Sequence, residues 1–554
     1  VDRSITNILI GGKAGEGVKK AAQVVGNVLC RRGMHVVQAD DYQSLIRGGH
    51  NFSVVCCSPE EVHATYEQCD VIICFDKRSL DEHRDQLKPG GLLFFNSDES
   101  SCGTCIPLPL TSLMKKHYSS ETNVGLAAVG IMCALLGLTV AEMRDIIRSQ
   151  FKRNLDENAA YAEAIHALVQ PRLDLQLPPT QVGEGRYLSG NQAIGLGAWY
   201  AGLDFYFSYP MTPASSLLHY LASKQKTHGI YAIHAESELA AINMAIGAAM
   251  AGCRSAVGSS GGGFALMQEG FSLAGMVEAP LLCVLSSRPG PATGVSTYSA
   301  QEDLFFALHQ GHGEFPRVVA SPDSVQRAFS LAAELLSLAW KIQTPVILLT
   351  EKQLSEGMTD ACLNPESLPD AVPDELDPGP YERYAITESG ISPMRFPGRG
   401  IRDMIKWSSH EHLPNGLRTD NARAISEMKD KRHSKQKQLE EMVNGFQTVA
   451  EYGEGEFLVF AYGSTVLELR EAMKHCSIHY KIVAPIYLEP FPLQALQPYR
   501  GRRAVVVEHN ASAAFAEFLT WKLGLTVQGS ILKYDGRAFD PIALARKLEE
   551  AFHA

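Results

Sequence analysis

The sequence contains no apolar run close to the ~20 residues a helix needs to cross a bilayer, so a helical membrane span is not expected. It also lacks an excess of positive charge. Its 50 Lys and Arg face 61 Asp and Glu, for a formal net charge of −11 over 554 residues. That balance argues against a general binder of nucleic acid or anionic membrane, while leaving room for a local basic pocket. Only one Cys-x-x-Cys is present, Cys102-Gly-Thr-Cys105, and no second pair lies near it. A zinc or iron–sulfur centre needs about four ligands, so this pair is expected on a surface loop and not around a metal. There is no Gly-Asp-Gly element of the kind that holds a metal–diphosphate, and Val18 stands where a Walker lysine would be. No short-period repeat or low-complexity tract occurs. No signal peptide is visible ahead of the first strand, and Cys74, Cys133, Cys253 and Cys283 sit inside apolar runs. The expectation is a cytoplasmic protein with buried, reduced thiols.

What is present is apolar material, 45% of residues, in alternating strand-like and helix-like stretches. The pattern predicts an α/β protein of several domains. Residues 1–175 read as one α/β domain, with strands near 5–10, 71–75 and 92–95. Residues 170–184 read as a polar linker. Residues 185–352 read as a second α/β domain with a mainly parallel sheet. Its strand candidates are 205–209, 255–258, 281–285, 317–320 and 346–349, and long apolar helices lie between them. Residues 353–440 are richer in proline and end in a basic run, 429–437; they read as an extended connection, the run being a solvated helix face. Residues 441–554 return to α/β, with strands near 458–461, 481–484 and 504–507.

Ligands of such sheets sit outside the carboxyl ends of the strands. Three unusual loops are predicted to leave strand ends in the second domain. The first is Tyr209-Pro-Met-Thr-Pro-Ala-Ser-Ser216, where two prolines stiffen the chain around Thr212 and Ser215 and Ser216 are placed to cap a helix. Such a turn fixes one hydroxyl in space beside a helix N-terminus, which favours an anion; a plain proline turn has the same composition. The second is Ser259-Ser-Gly-Gly-Gly-Phe264, whose glycines allow close backbone approach or simply a tight turn. The third is Arg288-Pro-Gly-Pro-Ala-Thr-Gly294, an arginine on a stiff loop suited to a carboxylate. Glu236-Ser-Glu238 precedes an apolar helix: acidic residues there complement the helix dipole, or hold a carboxylate at the edge of an apolar pocket where it can exchange a proton. In the first domain, Gly12-Lys-Ala-Gly-Glu-Gly17 joins strand to helix, with Lys13 close to the helix start. Arg47-Gly-Gly49 is a second flexible basic element. His312 and His509 have no visible nucleophile or metal partner and read as structural.

Taken in order, these elements resemble the α subunit of a 2-oxoacid:ferredoxin oxidoreductase, in the form with its γ domain fused ahead of α. The resemblance covers nearly the whole chain. It rests on Gly15-Glu-Gly17 and Ser44-Leu-Ile-Arg-Gly-Gly49 in the γ-like part. In the α-like part it rests on Gly190-Asn191, Tyr209 to Ser216, Glu236-Ser-Glu238, Ser259 to Met267, Arg288 to Gly294, Gln301-Glu-Asp303 and His312-Gly-Glu-Phe-Pro316. It continues in Gly390-Ile-Ser392, Glu411-His412, Lys429-Asp-Lys-Arg432, Tyr462-Gly-Ser464 and Tyr534-Asp-Gly-Arg537.

The resemblance implies a thiamine-diphosphate-enzyme pyrimidine-type domain and a transketolase C-terminal-like domain. It implies oxidative decarboxylation of a 2-oxoacid to acyl-CoA and CO₂, with electrons leaving to ferredoxin, or the reverse. 2-Oxoglutarate is the preferred substrate, with pyruvate or a broad range of 2-oxoacids as the alternative; a non-catalytic ligand-binding scaffold is the alternative of another class. By motif, Glu238 matches the carboxylate that bonds the cofactor's aminopyrimidine and Pro210 packs near that ring. Thr212 and Arg288 match the groups that hold the substrate carboxylate. Lys13 and Arg47 are candidates for coenzyme A, which the γ-like domain helps bind as it closes over the site. Met211, Ala214, Gly262 and Pro289 depart from the family pattern. Mg²⁺ and a [4Fe-4S] cluster fall mainly to a separate β subunit, which implies an (αβ)₂ heterotetramer.

Overall fold

The structure is a computed structural model, and it describes residues 5–43, 49–118, 123–169, 185–369, 381–397 and 405–553. The chain forms two compact units. The first comprises residues 1–188 with 356–362 and 540–544; the second comprises 189–355, 363–539 and 545–554. Among the described residues no helix is long and apolar enough to cross a membrane.

The first unit is built on an eight-stranded sheet. Its order is Ile106–Leu108, Leu87–Asn96, Cys69–Cys74, Thr6–Lys13, His50–Ser58, His35–Tyr42, Met358–Ala361, Arg186–Ser189. The strand Thr6–Lys13 is buried on both faces, as its Ile-Leu-Ile centre requires. It pairs parallel with Cys69–Cys74 and antiparallel with His50–Ser58, with Lys13 opposite His50. The sheet is therefore mixed. The antiparallel strands His35–Tyr42 and His50–Ser58 were not anticipated, because buried polar side chains such as Gln38, Asp40 and Ser53 blur their apolar pattern. Cys56 and Cys57 face opposite sides of their strand, one packing with Val62 and Tyr66, the other with Ile8 and Ile10. The glycine loop closes on itself: Glu16 Oε2 accepts the Lys13 N–H at 2.8 Å, and Gly17, at φ 85°, starts the helix Val18–Arg31. Cys102 and Cys105 form a disulfide across their loop, whereas Cys74, Cys133 and Cys283 are buried free thiols; Cys253, expected with them, is only half-buried.

The second unit contains a seven-stranded and a five-stranded sheet. The first runs Tyr487–Glu489, Val318–Ala320, Pro345–Glu351, Leu281–Ser287, Ser255–Ser259, Phe205–Ser208, Tyr231–His234. Every described pairing in it is parallel except the edge strand Tyr487–Glu489, supplied from far along the chain. The five-stranded sheet is Val449–Tyr452, Tyr480–Pro485, Phe457–Phe460, Arg503–Glu508, Thr526–Leu532. One apolar core joins both, Val257, Cys283 and Ile347 of the larger sheet packing in the same cluster as Phe460, Val483 and Val506.

The region expected as an extended connection is more structured than its composition suggests. Met358–Ala361 is a strand of the first unit's sheet, and Ala422–Asn444 is a 23-residue helix. The basic run 429–437 is a solvated face only in part: Lys429, His433 and Lys437 are exposed, but its other cations turn inward. Met428, Lys431, Arg432, Lys435, Leu439 and Val443 repeat at helical spacing and are all buried. Lys431 and Lys435 both reach Glu278, Lys431 Nζ lying 2.7 Å from Oε1. Arg383 donates to the Glu278 carbonyl at 2.9 Å, and Arg432 holds Glu411 with both arms. Burial pushes the Glu278 carboxyl up, but Lys435, Lys431 and Arg383 outweigh it and hold it well below the usual range. Removing the carboxylate would leave buried cations uncompensated, which makes this cluster a structural keystone of the unit.

Candidate active site

Four neighbouring strands of the seven-stranded sheet, Leu281–Ser287, Ser255–Ser259, Phe205–Ser208 and Tyr231–His234, end on the same edge. Their parallel pairing carries Arg288, the Ser259–Ser260 turn, the 209–216 turn and Glu238 to that edge. This is the carboxyl-end position at which open α/β sheets bind ligands.

The 209–216 turn has a cis peptide between Thr212 and Pro213. It is held from behind by Asn191, which is fully buried on the helix Gly190–Tyr200. Asn191 Nδ2 donates to the Pro213 carbonyl at 3.0 Å and to Ser216 Oγ at 2.7 Å. Ser215 and Ser216 do not cap the following helix as expected. That helix, Ser215–His228, has Ala214 at its N-cap and no side-chain cap, because Ser216 Oγ is turned back toward Asn191 and Pro213. Thr212 and Pro210 are half-buried at the turn.

Arg288 meets this turn directly. Its Nη1 donates to the Thr212 carbonyl at 2.7 Å, and the side chain is buried. Burial lowers the guanidinium from its ordinary value, and Asp303 partly offsets that. Asp303 itself accepts from Ser287 Oγ at 2.7 Å; burial raises its carboxyl, against the lowering by Ser287. The loop beyond Arg288 is pinned by Glu302, whose Oε2 accepts the Gly290 N–H at 2.7 Å. At Gly294 a Cβ would lie 1.7 Å from the Pro289 carbonyl oxygen, so only glycine fits that turn.

Glu238 opens the helix Glu238–Met250, with Ser237 as N-cap accepting the Ala240 N–H. The two acidic residues of the Glu-Ser-Glu motif part company here, Glu236 being exposed and Glu238 only 3% exposed. Oε1 of Glu238 is buried without a hydrogen-bond partner. A buried acceptor left unpaired costs roughly 1–3 kcal/mol, so the fold holds this atom ready for something else. The glycine run explains how. A Cβ at Gly263 would fall 2.1 Å from Ser259 Oγ and 2.4 Å from Glu238 Oε1, and one at Gly261 would fall 2.8 Å from both Asp303 carboxylate oxygens. At Gly262 the nearest atom is 3.6 Å away, which is ordinary contact. Two of the three glycines thus make room for carboxylates of this chain.

Thr212, Arg288, Pro210 and Glu238 therefore share one sheet edge. Asn191, Gly263 and Asp303 complete it, although sequence reasoning gave them no individual role; each lies in a quoted motif, which was the available signal. Lys13, in the first unit, is exposed and pairs with Glu99 at 3.4 Å. Arg47 lies outside the described residues. His509 is buried against Glu468 at 2.8 Å and His312 meets Ser272 at 3.0 Å, so both serve packing networks.

Two family models match along the chain. Residues 196–431 match the thiamine-diphosphate-binding domain of pyruvate flavodoxin/ferredoxin oxidoreductases, and residues 7–168 match the pyruvate ferredoxin/flavodoxin oxidoreductase domain. The site edge thus falls in a domain class defined by thiamine diphosphate. The 2-oxoacid:ferredoxin oxidoreductase α subunit of a Sulfolobus species is 30% identical over 98% of this chain and 96% of its own length. The KorA subunit of the Mycobacterium tuberculosis 2-oxoglutarate oxidoreductase is 27% identical over 85% of this chain and 79% of its own. Among solved structures, a 2-oxoglutarate:ferredoxin oxidoreductase from Magnetococcus marinus, with 2-oxoglutarate, coenzyme A and succinyl-CoA bound, superposes at a TM-score of 0.87. It is 26% identical and covers 99% of this chain and 100% of its own. The chain belongs to the α-subunit family of the 2-oxoacid:ferredoxin oxidoreductases, a family of enzymes.

Proposed function

We propose that this chain is the substrate-binding subunit of a 2-oxoglutarate:ferredoxin oxidoreductase, with its γ-like part in residues 1–175 and its α-like catalytic part in 185–352. The observation that carries the reading is the unpaired, buried Glu238 Oε1, held in place by Gly263 beside the Arg288–Thr212 pair. This fits thiamine diphosphate, whose aminopyrimidine offers nitrogen partners to such a carboxyl. When bound, the cofactor supplies the nucleophilic carbon and electron sink for decarboxylating a 2-oxoacid.

The residues of this chain supply position and protons. Glu238 Oε1 would hydrogen-bond the pyrimidine ring and hold or give up a proton at its own carboxyl, and Pro210 would pack beside the same ring. Arg288 and the Thr212 hydroxyl grip the oxoacid carboxylate, the guanidinium being prepared by its bond to the Thr212 carbonyl and by partial burial. Lys13 and Arg47 serve coenzyme A. The helices that bear Glu238 and Gly263 leave Leu239 52%, Met244 45% and Leu266 53% exposed. Large apolar side chains at that level of exposure, next to a catalytic carboxylate, suit burial by another subunit. We assign that role to a β subunit carrying Mg²⁺ and the iron–sulfur cluster, in an (αβ)₂ assembly that passes electrons to ferredoxin in the cytoplasm.

Preference for 2-oxoglutarate rests on the Magnetococcus and Mycobacterium relatives. A broad 2-oxoacid specificity has equal support from the Sulfolobus relative. Steady-state kinetics of the co-purified complex decides between them. The proposal expects kcat/KM for 2-oxoglutarate to exceed that for pyruvate by at least tenfold; turnover of pyruvate alone would overturn the substrate assignment.

A further inference from the structure

The strand His50–Ser58 and the helix Lys77–His83 of the first unit bring three ligand-type side chains together. His50 and His83 are each 5% exposed, and their Nε2 atoms are 2.8 Å apart. Glu82 places Oε2 3.5 Å from His50 Nε2, and the ligand atoms of all three lie within 4.8 Å of one another. Gly11 makes room for Ser79 behind His50, since a Cβ there would come within 3.0 Å of Ser79 Cβ. None of these residues belongs to the sheet edge described above.

The far side of each ring has a polar partner at Nδ1. His83 Nδ1 lies 2.7 Å from Gln86 Oε1, an atom that only accepts, so Nδ1 carries the hydrogen and Nε2 a lone pair. Ser79 Oγ donates to Asp76 Oδ1 at 2.5 Å, which leaves its lone pairs for His50 Nδ1 at 3.5 Å. With its proton on Nδ1, facing Ser79, His50 offers a lone pair at Nε2; with its proton on Nε2 it donates to His83. Without a metal the two Nε2 atoms, 2.8 Å apart, share one proton, and a divalent cation that displaces it meets a lone pair from each ring. Outer partners that bind the Nδ1–H of each imidazole are the usual support of metal-ligating histidines. The adjacent carboxylate completes a His₂Glu set.

We propose that His50, His83 and Glu82 form a binding site for a divalent transition-metal ion of the zinc class. Zinc bonds of about 2.0–2.1 Å at tetrahedral angles place ligand atoms about 3.3 Å apart, so the two rings separate by about 0.5 Å on binding. Glu82 Oε1 stays with Arg78 Nε at 2.6 Å and Oε2 turns to the metal. The Glu82 side chain is 43% exposed, which gives the ion a path in and leaves a fourth position for water. The bound ion ties the strand His50–Ser58 to the helix Lys77–His83.

The test is zinc uptake by the full chain in its purified complex, stripped with chelator and then titrated with Zn²⁺ against a chromogenic chelator. Bound zinc is counted by elemental mass spectrometry, separately from iron and magnesium. The expected result is one tight equivalent per chain, weakened at least tenfold by Glu82→Gln and abolished by His83→Gln, with X-ray absorption showing two imidazole ligands. Glu82→Gln lies on the surface and leaves the fold intact, which thermal melting verifies. Equal uptake by wild type and both variants would overturn the site. So would the absence of stoichiometric uptake, which would mean that the histidines share a proton instead.

Discussion

Replacing Gly263 with alanine asks whether the Glu238 carboxylate has been placed where the chemistry needs it. The added methyl would start 2.4 Å from Glu238 Oε1 and 2.1 Å from Ser259 Oγ, where ordinary contact begins near 3.4 Å. Glu238 must therefore retreat by about 1 Å or the helix Gly261–Leu266 must shift by as much. Overpacking of this kind costs about 1–3 kcal/mol of stability. A catalytic group displaced by about 1 Å loses about 10²-fold in turnover. Gly262→Ala is the matched control. It adds the same methyl one residue away, on an exposed position whose nearest neighbour is 3.6 Å off. That variant should keep full turnover and gain about 0.5–1 kcal/mol, since alanine is the better helix former. The assay is 2-oxoglutarate-dependent reduction of a low-potential dye by the assembled complex, with melting temperature measured in parallel. Full turnover in Gly263→Ala, or equal losses in both variants, would refute the claim that this glycine exists to seat Glu238.

Arg288→Ala should raise KM for the oxoacid about tenfold to a hundredfold through loss of a charged hydrogen-bonding group, with little change in KM for coenzyme A; the reverse pattern in steady-state kinetics would mean that Arg288 serves the other substrate. Glu278→Gln should destabilise the chain by about 3–5 kcal/mol in chemical denaturation, because Lys431 and Lys435 would stay buried without their carboxylate. A change below about 1 kcal/mol would show that the cluster is solvated. Lys435 titrates at about 7 in the folded chain against an ordinary 10.5, burial being the main cause and Glu278 opposing it. Between those values the unfolded chain binds a proton that the folded chain does not, so this group makes stability rise with pH from 7 to 10.5. Lys435→Met should flatten that rise in melting temperature, and an unchanged profile would count against the assignment.

How much of this was legible in the sequence depended on distance along the chain. The strands ending at Ser208, Ser259 and Ser287 announced themselves as apolar runs closed by Pro or Gly turns, and that local chemistry pointed to Thr212, Glu238 and Arg288. What the sequence alone did not display were partners made by topology. Asn191 supports Pro213 from 22 residues away, and Asp303 faces Gly261 only because neighbouring strands align their ends. The basic run looked solvated because its counter-charge, Glu278, lies 153 residues from Lys431 and 157 from Lys435. The strands His35–Tyr42 and His50–Ser58 were hidden for a related reason. Their buried polar residues satisfy one another: Asp40 accepts from Gln38 on its own strand and from Ser53 on the neighbouring one, and the second pairing has no signature in either strand alone.

Glu238→Gln tests most directly the proposed exchange of a proton between Glu238 and the cofactor ring. The glutamine keeps shape and burial but holds no exchangeable acid proton, so the fold and complex should survive. Turnover of 2-oxoglutarate by the assembled complex should fall by about 10²–10⁴-fold, with thiamine diphosphate still bound at saturating concentration. Turnover within threefold of wild type would contradict the account and favour a scaffold that kept the fold without the chemistry.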